Sequence, residues 1–154
     1  MNARLLAVMA AIGLAAVAPA EATAGSCTVT TVAPVTFGTY DIFDSAPVLS
    51  TGSIVFECSD LAPSDTVRID LDGGNAHRLF PRAMIQGAFQ LAYNLYLDAA
   101  HRLIWGDGTG GSTTYGPVHP RNGVNTVYLY GKIPPGQDVG AGVYTDTVTV
   151  TVMF

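Results

Sequence analysis

Residues Tyr144–Phe154 read YTDTVTVTVMF, and the class of fold turns on this stretch. Threonines stand at 145, 147, 149 and 151, while Val148, Val150, Val152 and Phe154 take the alternate positions. A two-residue period sends these sets to opposite faces of a strand. β-Branched residues on both faces favour a pleated ribbon, and the split predicts one wet face and one buried face. Asp146 shares the parity of the buried set, near the start of the strand. There it is expected to accept backbone hydrogen bonds from the 134–142 turn region.

Working upstream, TVYLYGKI (126–133) alternates in the same way, with Val127, Leu129 and Gly131 on one side. FQLAYNLYLD (89–98) puts Leu91, Tyr93, Leu95 and Leu97 on one face, and LIWG (103–106) reads as a short strand. TVRIDLDGG (66–74) faces Val67, Ile69 and Leu71 inward and Arg68, Asp70 and Asp72 outward. GSIVFECS (52–59) groups Ile54, Phe56 and Cys58. The run from Cys27 to about Tyr40 contains Pro34, which has no N–H to give a ladder, and so reads as two short pieces on a sheet edge. Residues 77–86 are irregular. GDGTGGSTTYGP (106–117) and IPPGQDVGAG (133–142) are turn or loop segments. No stretch of ten or more residues keeps a 3.6-residue period. Several strands separated by Gly, Pro and Asp turns predict an all-β antiparallel sandwich.

The beginning of the chain is different. Arg4 precedes the apolar run Leu5–Ala18, and Ala22-Thr23-Ala24 fits the small-x-small pattern of a signal peptidase site. Residues 1–24 therefore read as a secretory signal, leaving 25–154 as one domain of about 130 residues. No later stretch is apolar for long enough to span a membrane, so no membrane insertion is expected. Seven Lys and Arg against twelve Asp and Glu give a net charge of −5, without the basic patch that nucleic acid requires. In an oxidising compartment the two cysteines, Cys27 and Cys58, are expected to form a disulfide. With His77, His101 and His119 they make no metal-ligand spacing.

Candidate chemistry is sparse. Ser112, Thr113 and Thr114 lack a nucleophile elbow, and the GDGTGG loop lacks the Lys-Ser/Thr of a phosphate-binding loop. Asp107 lacks the ligand spacing of a calcium loop. Asp70 and Asp72 share an outward face, where solvation explains them better than glycoside hydrolysis does. The expectation is a non-enzyme with no catalytic residue, no metal and no cofactor. Tyr93, Trp105, Tyr128 and Tyr130 are aromatics that could line a sugar site, although Tyr93 is inward by parity. An exposed aromatic cluster near the glycine-rich loop would favour the alternative of a carbohydrate-binding or adhesive module.

Several pieces, in order, resemble the spore coat protein U domain family, which includes subunits of archaic chaperone–usher pili. They are Cys27-Thr-Val with Phe37-Gly-Thr-Tyr40, Thr51-Gly-Ser-Ile54 running into Cys58, and Leu91-Ala-Tyr-Asn-Leu-Tyr96. Trp105-Gly-Asp-Gly108 follows, then Tyr130-Gly-Lys-Ile-Pro134, Gly136-Gln137 and Gly142-Val-Tyr-Thr-Asp-Thr-Val-Thr-Val150. The resemblance implies an immunoglobulin-like sandwich lacking its final strand, with a Cys27–Cys58 disulfide. It implies a structural subunit of a pilus or spore coat that accepts a β-strand from a periplasmic chaperone or a neighbouring subunit. Partners would be that chaperone, an outer-membrane usher and other subunits, with export through the periplasm to the cell surface. Val148, Val150, Val152 and Phe154 are then the expected groove residues. Only Gly25 and Ser26 precede Cys27 after the expected cleavage, so the chain is expected to accept a strand without offering an obvious one.

Overall fold

The computed structural model describes residues 24–154, so the expected signal sequence lies, apart from Ala24, outside the described residues. Among the described residues eight strands form: β1 (Ser26–Ala33), β2 (Val48–Ser59), β3 (Val67–Leu71), β4 (Arg82–Gln86), β5 (Phe89–Tyr96), β6 (Tyr115–Val118), β7 (Gly123–Ile133) and β8 (Val150–Met153). The first sheet has the order β1-β2-β7-β5-β4 and the second β6-β3-β8, with every strand pair antiparallel. The protein is an immunoglobulin-like β-sandwich, and it is open.

Alternation decides which side chains meet. β2 contributes Ile54, Phe56 and Cys58, β7 contributes Val127, Leu129 and Ile133, and β5 contributes Leu91, Tyr93 and Leu95. Val67, Ile69 and Leu71 of β3 close on them from the second sheet, and Trp105 is fully enclosed. Each large apolar side chain so buried stabilises by about 1.5–3 kcal/mol. Cys27 and Cys58 stand directly opposite in the β1–β2 ladder and are joined by a disulfide, with Cα atoms 4.1 Å apart.

Two glycines on the inner face change the path of the chain. Gly52 and Gly131 leave a hollow, and Val35 and Phe37 drop into it: a Cβ on Gly131 would lie 2.6 Å from both side chains. Residues 34–40 thus leave the edge of the first sheet and cover the core without joining a strand. The second strand piece expected there does not form. Pro34 gives no donor, and the segment's anchors are Ser50 Oγ on Thr36 O and Tyr40 OH on Pro134 O.

Two strands form where none was expected. β4 contains Arg82, wholly buried and therefore contrary to the pattern of an amphipathic strand. Its guanidinium donates to Asp72 O at 2.9 Å, Asn94 Oδ1 at 2.8 Å and Trp105 O at 2.7 Å. Burial lowers its pKa, and a guanidinium nonetheless stays charged. β6 is a short edge strand carrying Gly116 and Pro117, residues that read as loop.

The deciding stretch itself divides. Only Val150–Met153 is laddered, to β3 through Arg68–Leu71. Residues 144–149 run extended but almost unpaired, touching β4 through the single Ile85–Thr145 bridge.

Candidate functional site

Between residues 34–42 and 139–150 the sandwich is not closed. Two adjoining cavities of about 750 and 410 Å³ occupy the seam. The larger is lined by Phe37, Met84, Leu91, Ile133, Val139 and Tyr144, and the smaller by Val35, Ile54, Leu71, Leu95, Leu129 and Val148. Val35, Phe37, Met84 and Tyr144 belong to both, so the two form one apolar groove over the core. Its length follows from two edges: β1 pairs only with β2 and β8 only with β3 among the described residues. Unpaired N–H and C=O groups along such edges are a template for another strand.

The expected groove residues are spread along this wall. Val148 and Val150 line the smaller cavity. Val152 packs half-buried on the core, opposite Ile69, but lies outside the cavity lining. Phe154 follows the end of β8 and is 52% exposed. Parity aims all four the same way, yet depth depends on where sheet ends and cavity begins.

Two aspartates hold the unladdered wall in place. Asp146 accepts from Asn75 N at 2.7 Å, Thr147 N at 2.8 Å and the Tyr93 hydroxyl at 2.7 Å. Asp72 accepts from Gly74 N and Thr149 N, each at 2.9 Å, while its own N–H donates to Thr149 O. The corner after β3 and the segment before β8 thus each supply a carboxylate to the other's amides. Asp146 was expected to cap the 134–142 turn. Its partners lie instead at the Gly74–Ala76 3₁₀ turn, because the sandwich brings that corner alongside. Gly74 has φ +63°, and a Cβ there would run into the Asp146 carboxylate. Burial, then the bond to Asp146, pushes the Tyr93 phenol far up, so it remains a donor. Burial alone would raise Asp72, but the hydrogen bonds from Thr149 and Gly74 outweigh it, and its carboxyl falls below the usual range.

The remaining candidates serve the fold. Asp107 accepts from Thr109 N, Thr109 Oγ1 and Ser112 Oγ and so ties its own loop. Asp70 pairs with Arg68 at 2.8 Å, and His119 Nδ1 lies 3.0 Å from Asp65 O. Among the described residues no group of three or more His, Cys, Asp or Glu is placed to hold a metal ion. No described helix is long and apolar enough to cross a membrane. The four candidate sugar-site aromatics separate: Trp105 is fully buried with Nε1 donating to Ile69 O, and Tyr93 is in the core, whereas Tyr128 and Tyr130 face outward.

Residues 13–151 match the Spore Coat Protein U domain. The chain belongs to the Spore Coat Protein U domain family. It is 32% identical to Protein U of Myxococcus xanthus over an alignment of 183 positions that covers 96% of this chain and 95% of that protein. It is also similar to a chain of the crystal structure of the CsuC–CsuE chaperone–tip adhesion subunit pre-assembly complex, from the archaic chaperone-usher Csu pili of Acinetobacter baumannii. That likeness has a TM-score of 0.56 at 25% identity and covers 84% of this chain. This chain spans 40% of the solved chain's length.

Proposed function

We propose that this protein is a non-enzymatic structural subunit of a secreted surface assembly, a pilus or a coat, that accepts a β-strand from a partner. The observation that carries the reading is the open seam: an apolar groove flanked by an unladdered segment and two bare strand edges. A donor strand would gain main-chain hydrogen bonds along an edge and seat alternate apolar side chains in the two cavities. Four or five such side chains, at about 1.5–3 kcal/mol each, give a gross gain of order ten kcal/mol, from which ordering the donor subtracts a large part. The likeness to a chaperone–tip subunit complex supports a periplasmic chaperone as first donor and a neighbouring subunit as the next. An outer-membrane usher follows from the same pathway. Residues 1–24 fit the removable signal that such a route requires. Val148 and Val150 are the proposed contacts on the groove wall, with Val152 and Phe154 extending the same face of the acceptor strand.

Light scattering of the oxidised, exported chain tests this. Alone, it is expected to give heterogeneous oligomers that resolve to a defined complex with a co-expressed periplasmic chaperone or an alternating apolar peptide. Val150→Asp is expected to be exported normally and to form no stable complex. A sharp monomer that takes up no strand, or normal complexes from Val150→Asp, would overturn the reading.

A further inference from the structure

The outer face of the first sheet carries side chains that neither the core nor the groove uses. β7 sends Thr126, Tyr128 and Tyr130 outward. The register sets Thr51 of β2 and Tyr96 of β5 beside Tyr130, and Ser53 beside Tyr128. His101 stands edge-on to the rings of Tyr96 and Tyr130, with centroids 5.2 and 6.3 Å away. Its Nε2 is buried without a partner among the described residues, so packing holds the ring there. Tyr128, alongside, is 57% exposed.

Apart from Tyr115, which packs against Trp105 on the other sheet, the tyrosines of this protein divide by what their hydroxyls do. Tyr40, Tyr93 and Tyr144 donate to Pro134 O, Asp146 and Gly140 O, and so serve the fold. Those of Tyr96, Tyr128 and Tyr130 donate to no described protein atom. The face is also nearly free of charge in a chain of net charge −5. Glu57 lies at the far end of the ladder, Lys132 follows Tyr130 on the same face as its one adjoining cation on β7, and at the margin Asp98 pairs with Arg102 at 3.2 Å.

That combination discriminates between partners. An ionic partner finds no field to match. A dry protein partner would strand the hydroxyls of Thr51, Ser53 and Thr126 together with three phenols. A neutral polysaccharide suits both features, because pyranose C–H faces stack on aromatic rings while sugar hydroxyls pair with protein hydroxyls. Tyr128 and Tyr130, two residues apart on one strand, present rings spaced about 7 Å along a flat row. We propose that the Tyr96–Tyr128–Tyr130 face binds a neutral polysaccharide. The groove opens on the other face of this sheet, so the site does not depend on strand acceptance.

Native affinity electrophoresis of the exported, oxidised chain, complemented with a donor peptide wherever the chain alone is heterogeneous, in gels containing laminarin, hydroxyethyl cellulose, dextran or anionic alginate, tests this. Retardation is expected in at least one neutral gel. It should weaken roughly tenfold in the Tyr128→Ala/Tyr130→Ala double variant, through loss of both stacking rings. Tyr128→Ala alone, at an exposed position, should weaken it to a lesser degree and keep the parent urea midpoint. The proposal is overturned by no retardation in all three neutral gels, by equal retardation of the variants, or by salt-sensitive retardation in alginate alone. A self-association that the double variant abolishes, without polysaccharide binding, would assign the face to a second copy instead.

Discussion

β7 and residues 144–149 are written in the same alternating chemistry, yet they end in different states. β7 is laddered to β2 over eleven facing residue pairs, Val48↔Ile133 to Cys58↔Gly123, and to β5 on its other side. Residues 144–149 hold one bridge to β4, one backbone bond from Asp72, and two carboxylates. Alternation chooses the face a side chain takes, but a ladder also needs a neighbour at strand spacing along its length, and β7 has one on each edge whereas residues 144–149 lack a continuous one on either. Where no continuous neighbour runs alongside, side-chain acceptors must do what the ladder would have done, and an apolar floor is left uncovered.

The largest effect should come from breaking the closed region. Arg82→Leu leaves the carbonyls of Asp72 and Trp105 without their donor and Asn94 Oδ1 with only the Leu95 N–H. At about 1–3 kcal/mol for each buried orphan, the loss should exceed about 3 kcal/mol. It would be read as a lower urea midpoint of a chaperone- or peptide-complemented chain. Reducing Cys27–Cys58 should cost about 3–4 kcal/mol for a loop of roughly thirty residues, since β1 is otherwise held by β2 alone. Comparing urea curves with and without reductant measures it.

A smaller and more local effect is expected at the open seam. Asp146→Ala strands the Tyr93 hydroxyl and the Asn75 amide, for about 1–3 kcal/mol. Hydrogen exchange should quicken at Asn75 and Thr147 while β7 amides stay protected. Equal quickening in β7 would show that the seam and the centre of the sheet open as one unit. The smallest effect should be the acid response of Asp72. Its pKa is lowered on folding, so its contribution is present above its unfolded value of about 3.9 and is lost as pH falls through the folded value. Protection at Thr149, the intrinsic exchange rate relative to the observed rate at each pH, should therefore be flat above about pH 5 and fall once the pH is below the unfolded value, whereas Asp72→Asn should remove that step.

The strands legible from sequence are those with a run of apolar inward positions at their centre: β2, β3, β5 and β7. β4 was hidden because a buried arginine makes sense only once Asn94 and the carbonyls of Asp72 and Trp105, from other segments, surround it. β6 was hidden because Gly116 and Pro117 carry turn chemistry, while a strand at a sheet edge tolerates both. The partners of Asp146 were misplaced for a related reason: the nearby 134–142 turn was the local candidate, whereas Asn75 and Tyr93 are 71 and 53 residues away. Tyr128 and Trp105 could be grouped by residue type alone, and packing sent one to the surface and the other to the core.

Taken alone, the sequence determined the class of the fold, the faces of its principal strands and the two cysteines available for a disulfide. These follow from a local period of two and from composition, which need no knowledge of neighbours. The tertiary structure alone decided that the last alternating stretch is laddered only from Val150, that residues 34–40 sink over Gly52 and Gly131, and that a groove remains between them. Edge pairing and cavity depth arise from segments far apart in the chain, and no local pattern encodes whether a strand's second neighbour is present.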